Sequence, residues 1–304
     1  MSFLQIEHLS RSYGDIPAVR EFSLDVTEGD ICALVGPDGA GKTTILRIVC
    51  GLMAADSGAV RVNGQDVLSS LDQVKAILGY MPQQFSLYPD LSVEENLTFY
   101  AGLYGISGSA YIEKRDYLYT FSNLGPFAGR RAGALSGGMK QKLALSCALM
   151  HDPRILVLDE PTTGVDPLSR RQFWEILQGL KEQGSTILVS TPYMDEVDRC
   201  DRACFVFDGV KLSEGTPAEL TSQYAGSIFY LDREPTTELV TRLNAIGDLN
   251  AARFGAGLHI SLPEGQALER YGDQLRAISI PLTDFSPIAP GLEDRFIQLM
   301  EVHR

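Results

Sequence analysis

No stretch of this 304-residue chain approaches the roughly 18 or more apolar residues that a membrane-spanning helix needs. The N-terminus, MSFLQIEHLSRSYG, has no basic segment leading into an apolar one, so no secretory leader is expected. The expectation is a soluble, unexported protein that meets a membrane only through a partner. Basic residues are scarce: 26 Lys and Arg stand against 39 Asp and Glu, a net charge of -13. That balance repels a phosphate backbone and argues against nucleic acid as a partner. The five cysteines, at 32, 50, 147, 200 and 204, form no Cys-x-x-Cys pair, and their odd number fits neither a disulfide framework nor a zinc site. Reduced, buried thiols are expected. Internal repeats and low-complexity tracts are also missing.

What is present reads as one domain of ordinary size and one small one, with 44% hydrophobic residues. A strand pattern opens the chain at SFLQIEHL. The pairs Asn63-Gly64 and Asp208-Gly209 are hairpin signals, because such pairs suit the positive φ angles of a type I′ turn. The uniformly apolar runs ICALVG, ILVLD and TILVS suit parallel strands covered on both faces. Residues from about 90 to 150 read as mostly helical, with polar starts at Ser92 and Ser136, which places a helical subdomain at about 84–150 inside an α/β core. Near 225 the pattern changes. SIFYLD reads as a strand, TTELVTRLNAIG as a helix, LNAARF and GLHISL as a hairpin, EGQALERYGDQLRAI as a helix and SIPLTDF as a strand, before a last helix. This βαββαβ order predicts a small ferredoxin-like α+β domain over 225–304, after a first domain over 1–224.

Chemistry concentrates in the first domain. GPDGAGKT fills the pattern G-x-x-x-x-G-K-[ST] between a strand and an amphipathic helix. The loop of Gly36, Pro37, Asp38, Gly39, Ala40, Gly41, Lys42, Thr43 and Thr44 would wrap round a phosphate with the backbone N–H groups of its non-proline residues, with Lys42 reaching the terminal phosphates and Thr43 a ligand for Mg²⁺. ILVLDEP supplies the complement: Asp159, ending a buried strand, would hold the Mg²⁺ shell, and Glu160 would orient and deprotonate an attacking water.

Between these two motifs stand MPQQ, around Gln83, and LSGGMKQK, from Leu135 to Lys142. In this fixed order the four motifs resemble the ATP-binding cassette family over roughly residues 3–222. The resemblance implies an α/β P-loop NTPase cassette with an antiparallel β subdomain and a helical subdomain, an ATPase using ATP and Mg²⁺. In that family two cassettes dimerise head to tail, each ATP lying between one phosphate loop and the other subunit's LSGG. Ser136, Gly137 and Gly138 would therefore touch ATP held by a second cassette, a role that a serine and two glycines opening a helix suit as a compact anion site. Gln83 resembles the glutamine that contacts Mg²⁺, Tyr13 the aromatic that stacks on adenine, and Asp166, in Thr163-Gly164-Val165-Asp166, the polar member of the loop crossing the dimer interface. The aromatic segment around Phe85, Tyr88, Phe99, Tyr100 and Tyr104 resembles the region that receives a membrane permease.

One departure stands out. The family histidine expected after TILVS is replaced by Pro192, which has neither a side-chain donor nor a backbone N–H. Losing one transition-state donor commonly costs roughly a hundred- to a thousand-fold in rate. The chain's own site is expected to bind ATP and turn over slowly, which favours a heterodimer with a competent second cassette over a homodimer. LSGGMKQK, SLYPDLSVEENL, STPYMDE and PGLEDRFIQLM together look like bacterial drug and multidrug exporter cassettes, encoded apart from their permease and peripheral on the inner face of the membrane. The alternatives are a regulatory ATP-binding subunit with little hydrolysis, or a non-transport cassette protein.

Overall fold

Three β-sheets, distributed over two units, organise the computed structural model, which describes residues 2–303. The units are Met1–Pro217 and Ala218–Arg304, a division a few residues before the expected 224/225 border.

The first unit opens with two long strands, β1 (Ser2–Tyr13) and β2 (Ile16–Thr27). After β3 (Ile31–Val35) and the helix Lys42–Val49, β4 (Ser57–Val62) and β5 (Gln65–Asp66) complete an antiparallel sheet ordered β2-β1-β4-β5. The β4–β5 turn has Asn63 at φ 50° and Gly64 at φ 76°, the two positive angles that an Asn-Gly pair adopts at least cost. The second sheet adds β6 (Leu78–Met81), β7 (Ile155–Asp159), β8 (Thr186–Thr191), β9 (Arg202–Phe207) and β10 (Val210–Gly215), in the order β10-β9-β3-β8-β7-β6. Only β10 runs antiparallel, joined to β9 through Asp208 and Gly209 at φ 49° and 75°. Every residue of β3, β7 and β8 is buried, as strands covered on both faces require. The register pairs Val35 with Thr191 and Asp159 with Ser190, so the C-terminal ends of β3, β7 and β8 lie side by side. Ligand chemistry in such sheets gathers beyond these ends.

The region between β6 and β7 carries the helices Val93–Leu103, Gly108–Ser122 and Gly137–Ala148. Ser92 and Glu95 close a reciprocal capping box at the first, and Ser136 caps the third by accepting from the Met139 N–H at 3.3 Å. The five cysteines are buried and unpaired.

The second unit runs β11 (Ser227–Leu231), helix Thr237–Asn244, β12 (Asn250–Phe254), β13 (Gly257–Leu262), helix Gly272–Ala277, β14 (Phe285–Ile288) and helix Leu292–His303. Its sheet is antiparallel throughout, ordered β12-β13-β11-β14. Each helical connection therefore skips over one strand before returning to the sheet. The last strand departs from the sequence reading: it is FSPI rather than SIPLTDF. Ser279 sits at φ 67° and Leu282–Asp284 form a 3₁₀ turn, which breaks extension until Phe285. Pro287 is tolerated because β14 is an edge strand paired only with β11.

Candidate nucleotide site

The loop leaving β3 is shaped by glycines that admit no substitute. A Cβ on Gly36 would lie 2.1 Å from the Val206 carbonyl oxygen, and one on Gly41, at φ 100°, would lie 2.4 Å from that of Ala18. Gly39, at φ 80°, turns the exposed tip formed with Pro37 and Asp38. The turn closes through the Ala40 N–H on the Pro37 carbonyl at 3.2 Å. Lys42, 3% exposed, donates to the Gly36 and Pro37 carbonyls at 2.8 and 3.0 Å and pairs with Glu160 Oε1 at 3.1 Å.

Asp159, the last residue of β7, and Glu160 after it are buried against this loop, 1% and 4% exposed. The Thr43 hydroxyl donates to Asp159 Oδ1 at 3.1 Å. Glu160 adopts φ 47°, a strained angle for a non-glycine residue. That backbone is pinned by its own N–H on Ser190 Oγ at 2.9 Å, while the same hydroxyl donates to Asp159 Oδ1 at 2.8 Å. Gln83 Nε2 reaches Glu160 Oε2 at 2.9 Å, and Thr163 Oγ1 donates to that oxygen at 3.3 Å. The structure thus gathers the loop, Gln83, Asp159 and Glu160 into one site.

These residues fit ATP and Mg²⁺. A buried ammonium facing loop carbonyls, on a loop whose Gly36 and Gly41 pass too close to the Val206 and Ala18 carbonyls to carry a side chain, suits a phosphate. Mg²⁺ is ordinarily held by one or two carboxylates plus substrate phosphates, and the hydroxyl of Thr43 beside Asp159 offers that donor set. Among the described residues no cluster of three His, Cys, Asp or Glu could hold a metal ion.

Burial raises the Asp159 pKa above the usual carboxylate range, against the opposing hydrogen bonds from Ser190 and Thr43. A raised folded pKa means that protonation favours the folded state: the associated stability is present at low pH and lost as pH rises through that pKa. Mg²⁺ needs the carboxylate, so it competes with the proton at higher pH than for an exposed aspartate. Isothermal titration with ATP between about pH 4 and 7 should show the Mg²⁺-dependent gain in affinity fading as pH falls, before an ordinary carboxylate would protonate. A gain that stays flat to the bottom of that range removes Asp159 from the metal shell.

The remaining expected residues sit elsewhere. Tyr13 is 45% exposed, its hydroxyl 3.4 Å from Thr44 Oγ1 and donating to Met53 Sδ at 3.2 Å, beside the helix that follows the loop. Ser136, Gly137 and Gly138 cluster with Asp166 instead. A Cβ on Gly138 would lie 2.5 Å from Ser169 Cβ, and Asp166 caps the helix Pro167–Glu182 by accepting from the Ser169 N–H at 2.9 Å. Leu52, Tyr80, Leu87, Tyr100, Tyr104 and His151 line an apolar groove of about 260 Å³ whose margin includes exposed Tyr104, near exposed Tyr88 and Phe99.

Two polar residues escaped the sequence reading. Ser190 was visible as a hydroxyl ending an apolar run. Glu196, 2% exposed, accepts from the hydroxyls of Thr162 and Thr191 at 2.7 and 2.5 Å. Pro192 is half-buried and offers no donor.

Residues 19–163 match the ABC transporter family. The probable multidrug ABC transporter ATP-binding protein YbhF of Escherichia coli (strain K12) is 40% identical over 290 residues, 94% of this chain and 50% of that protein, so the chain spans about half the length of that relative. The Nod factor export ATP-binding protein I of Burkholderia orbicola (strain AU 1054) is 40% identical over 224 residues, 73% of this chain and 74% of that protein. Among solved structures, an ATP-binding subunit of an ABC transporter superposes with a TM-score of 0.66 at 30% identity, covering 73% of this chain and 93% of its own. The ATP-binding cassette MJ0796, dimeric in a post-hydrolysis state with ADP and Pi, gives 0.64 at 26%, covering 70% of this chain and 98% of its own.

Proposed function

The chain belongs to the ABC transporter family as an ATP-binding subunit, and on that premise we propose that it binds and slowly hydrolyses ATP to drive an exporter through a separate permease. The junction of Lys42, Gln83 and Glu160 carries this reading. Bound Mg-ATP supplies the phosphoanhydride to be cleaved. The loop N–H groups and Lys42 would hold its phosphates, Thr43, Asp159 and Gln83 would hold its cation, and Tyr13 would stack on its adenine. Glu160 Oε2, steadied by Gln83 and Thr163, accepts the proton of the attacking water.

Pro192 leaves that step without the histidine donor that the family resemblance implies, so the competent site of the assembly would combine a second cassette's loops with Ser136–Gly138 of this chain. The second cassette lies on another chain or further along a longer one. The same residue supports a second reading, in which ATP merely holds the complex together. The groove by Tyr100 and Tyr104 fits an apolar segment of the permease, and exposed aromatic residues suit such an interface. Export, rather than import, follows the relatives named for multidrug and Nod factor export.

Affinity purification of the tagged chain from detergent-solubilised membranes tests the assembly. The expected result is a multi-span membrane protein in stoichiometric amount, lost with Tyr104→Asp. Recovery of the chain without any membrane protein would rule out the transport reading.

A further inference from the structure

We infer that Glu196 is the positioning residue that holds the Glu160 turn against the end of β8. The inference rests on the reading of Glu160 as the proton acceptor. Glu196 lies 36 residues beyond Glu160 in the chain, yet its carboxylate bridges Thr162 and Thr191. The direction of the network is fixed by its members. The Tyr193 N–H donates to Thr191 Oγ1 at 3.0 Å, so that hydroxyl sends its own proton to Glu196 Oε2, while Thr162 sends its proton to Oε1. A carboxylate, which only accepts, is the side chain that can take both.

What Thr162 and Thr191 carry gives the bridge its purpose. Thr162 lies in the turn that starts at Glu160 and closes through the Thr163 N–H on the Glu160 carbonyl and the Val165 N–H on the Thr162 carbonyl, both at 3.2 Å. Glu160 itself holds a backbone angle that persists only where the surroundings enforce it. Thr191 precedes Pro192, and its carbonyl accepts from the Gly36 N–H at 3.4 Å, at the root of the phosphate loop. Ser190 anchors the start of the turn and Glu196 anchors its continuation. With no histidine at 192, these two hydroxyl-linked contacts hold the backbone of the base, while Lys42, Gln83 and Thr163 hold its carboxylate. Charge-assisted bonds in a water-free setting are the strong ones, and a partly satisfied buried network is unfavourable.

The test compares Glu196→Ala, Glu196→Gln and Thr162→Val in the full chain, by hydrogen exchange of residues 160–166 without nucleotide, with strand Ile31–Val35 as internal reference. Glu196→Ala should speed exchange at 160–166 by about tenfold and leave the reference unchanged. Glutamine accepts through one atom only and would turn its amide N–H toward the second donor hydroxyl, so Glu196→Gln should keep one of the two contacts and fall between the native chain and Glu196→Ala. Thr162→Val should add little to Glu196→Ala, as members of one network are not additive. ATP affinity should hold within about twofold, while kcat falls about tenfold at constant KM. Unchanged exchange at 160–166, equal acceleration of the reference, or Glu196→Gln matching the native chain each overturns the inference. A native chain that binds ATP but never hydrolyses it overturns the enzymatic reading instead, and exchange still decides on Glu196.

Discussion

Pro192→His should raise steady-state Mg-ATP hydrolysis by the purified chain by at least about tenfold, toward the hundred- to thousand-fold that one transition-state donor commonly supplies. The expected residues of this chain around it stand together: Lys42, Thr43, Gln83, Asp159 and Glu160 are joined by contacts of 2.9 to 3.1 Å. Position 192 directly follows Thr191, the end of the strand beside β7 and β3, so an imidazole there would sit by the mouth of the same pocket. Glu160→Gln should silence both the native chain and the variant. A native chain that hydrolyses at the variant's rate would show that proline at 192 is no handicap, and an ordinary homodimeric ATPase would then be the better description.

Gly41→Ala should weaken ATP binding by at least about a hundredfold, read by titration with a fluorescent nucleotide. Two penalties coincide. The residue holds φ 100°, and an L side chain in a left-handed angle costs about 1–2 kcal/mol before any contact is counted. Its Cβ would also stand 2.4 Å from the backbone carbonyl oxygen of Ala18, which no rotamer change can relieve. Either the loop or β2 must move, and the N–H groups that face the phosphates move with the loop. Gly39→Ala is the control: its φ of 80° carries the backbone penalty, but open space surrounds it, so the loss should be smaller. Equal losses would mean that the close approach to Ala18 plays no part.

The parts of this protein that could be read from sequence are those whose cause is local. The phosphate loop, the Asp159-Glu160 pair and the two hairpin turns each declare themselves within ten residues, because glycines, carboxylates and Asn-Gly pairs act where they stand. Burial of β3, β7 and β8 was equally plain from their unbroken apolar runs. Glu196 was not legible, because its partners lie 5 and 34 residues away and an acid next to Asp195 reads as solvated surface. The strain at Glu160 was hidden for the same reason: the Ser190 hydroxyl that pins it comes from a neighbouring strand. The last strand misled because SIPLTDF has the composition of a strand, while its proline and the turn at Leu282–Asp284 delay extension to Phe285.

The ion pair between Lys42 and Glu160 also sets an entrance requirement. A carboxylate already tethered beside the ammonium competes with every anion that drifts into the loop. Chloride or a lone carboxylate brings a single charge and has little with which to displace it. On the proposed reading, a triphosphate would bring several charges and satisfy the loop N–H groups at once, so it could displace the carboxylate where a single charge would not. The pair would then act as a threshold filter that reserves the loop for polyanions.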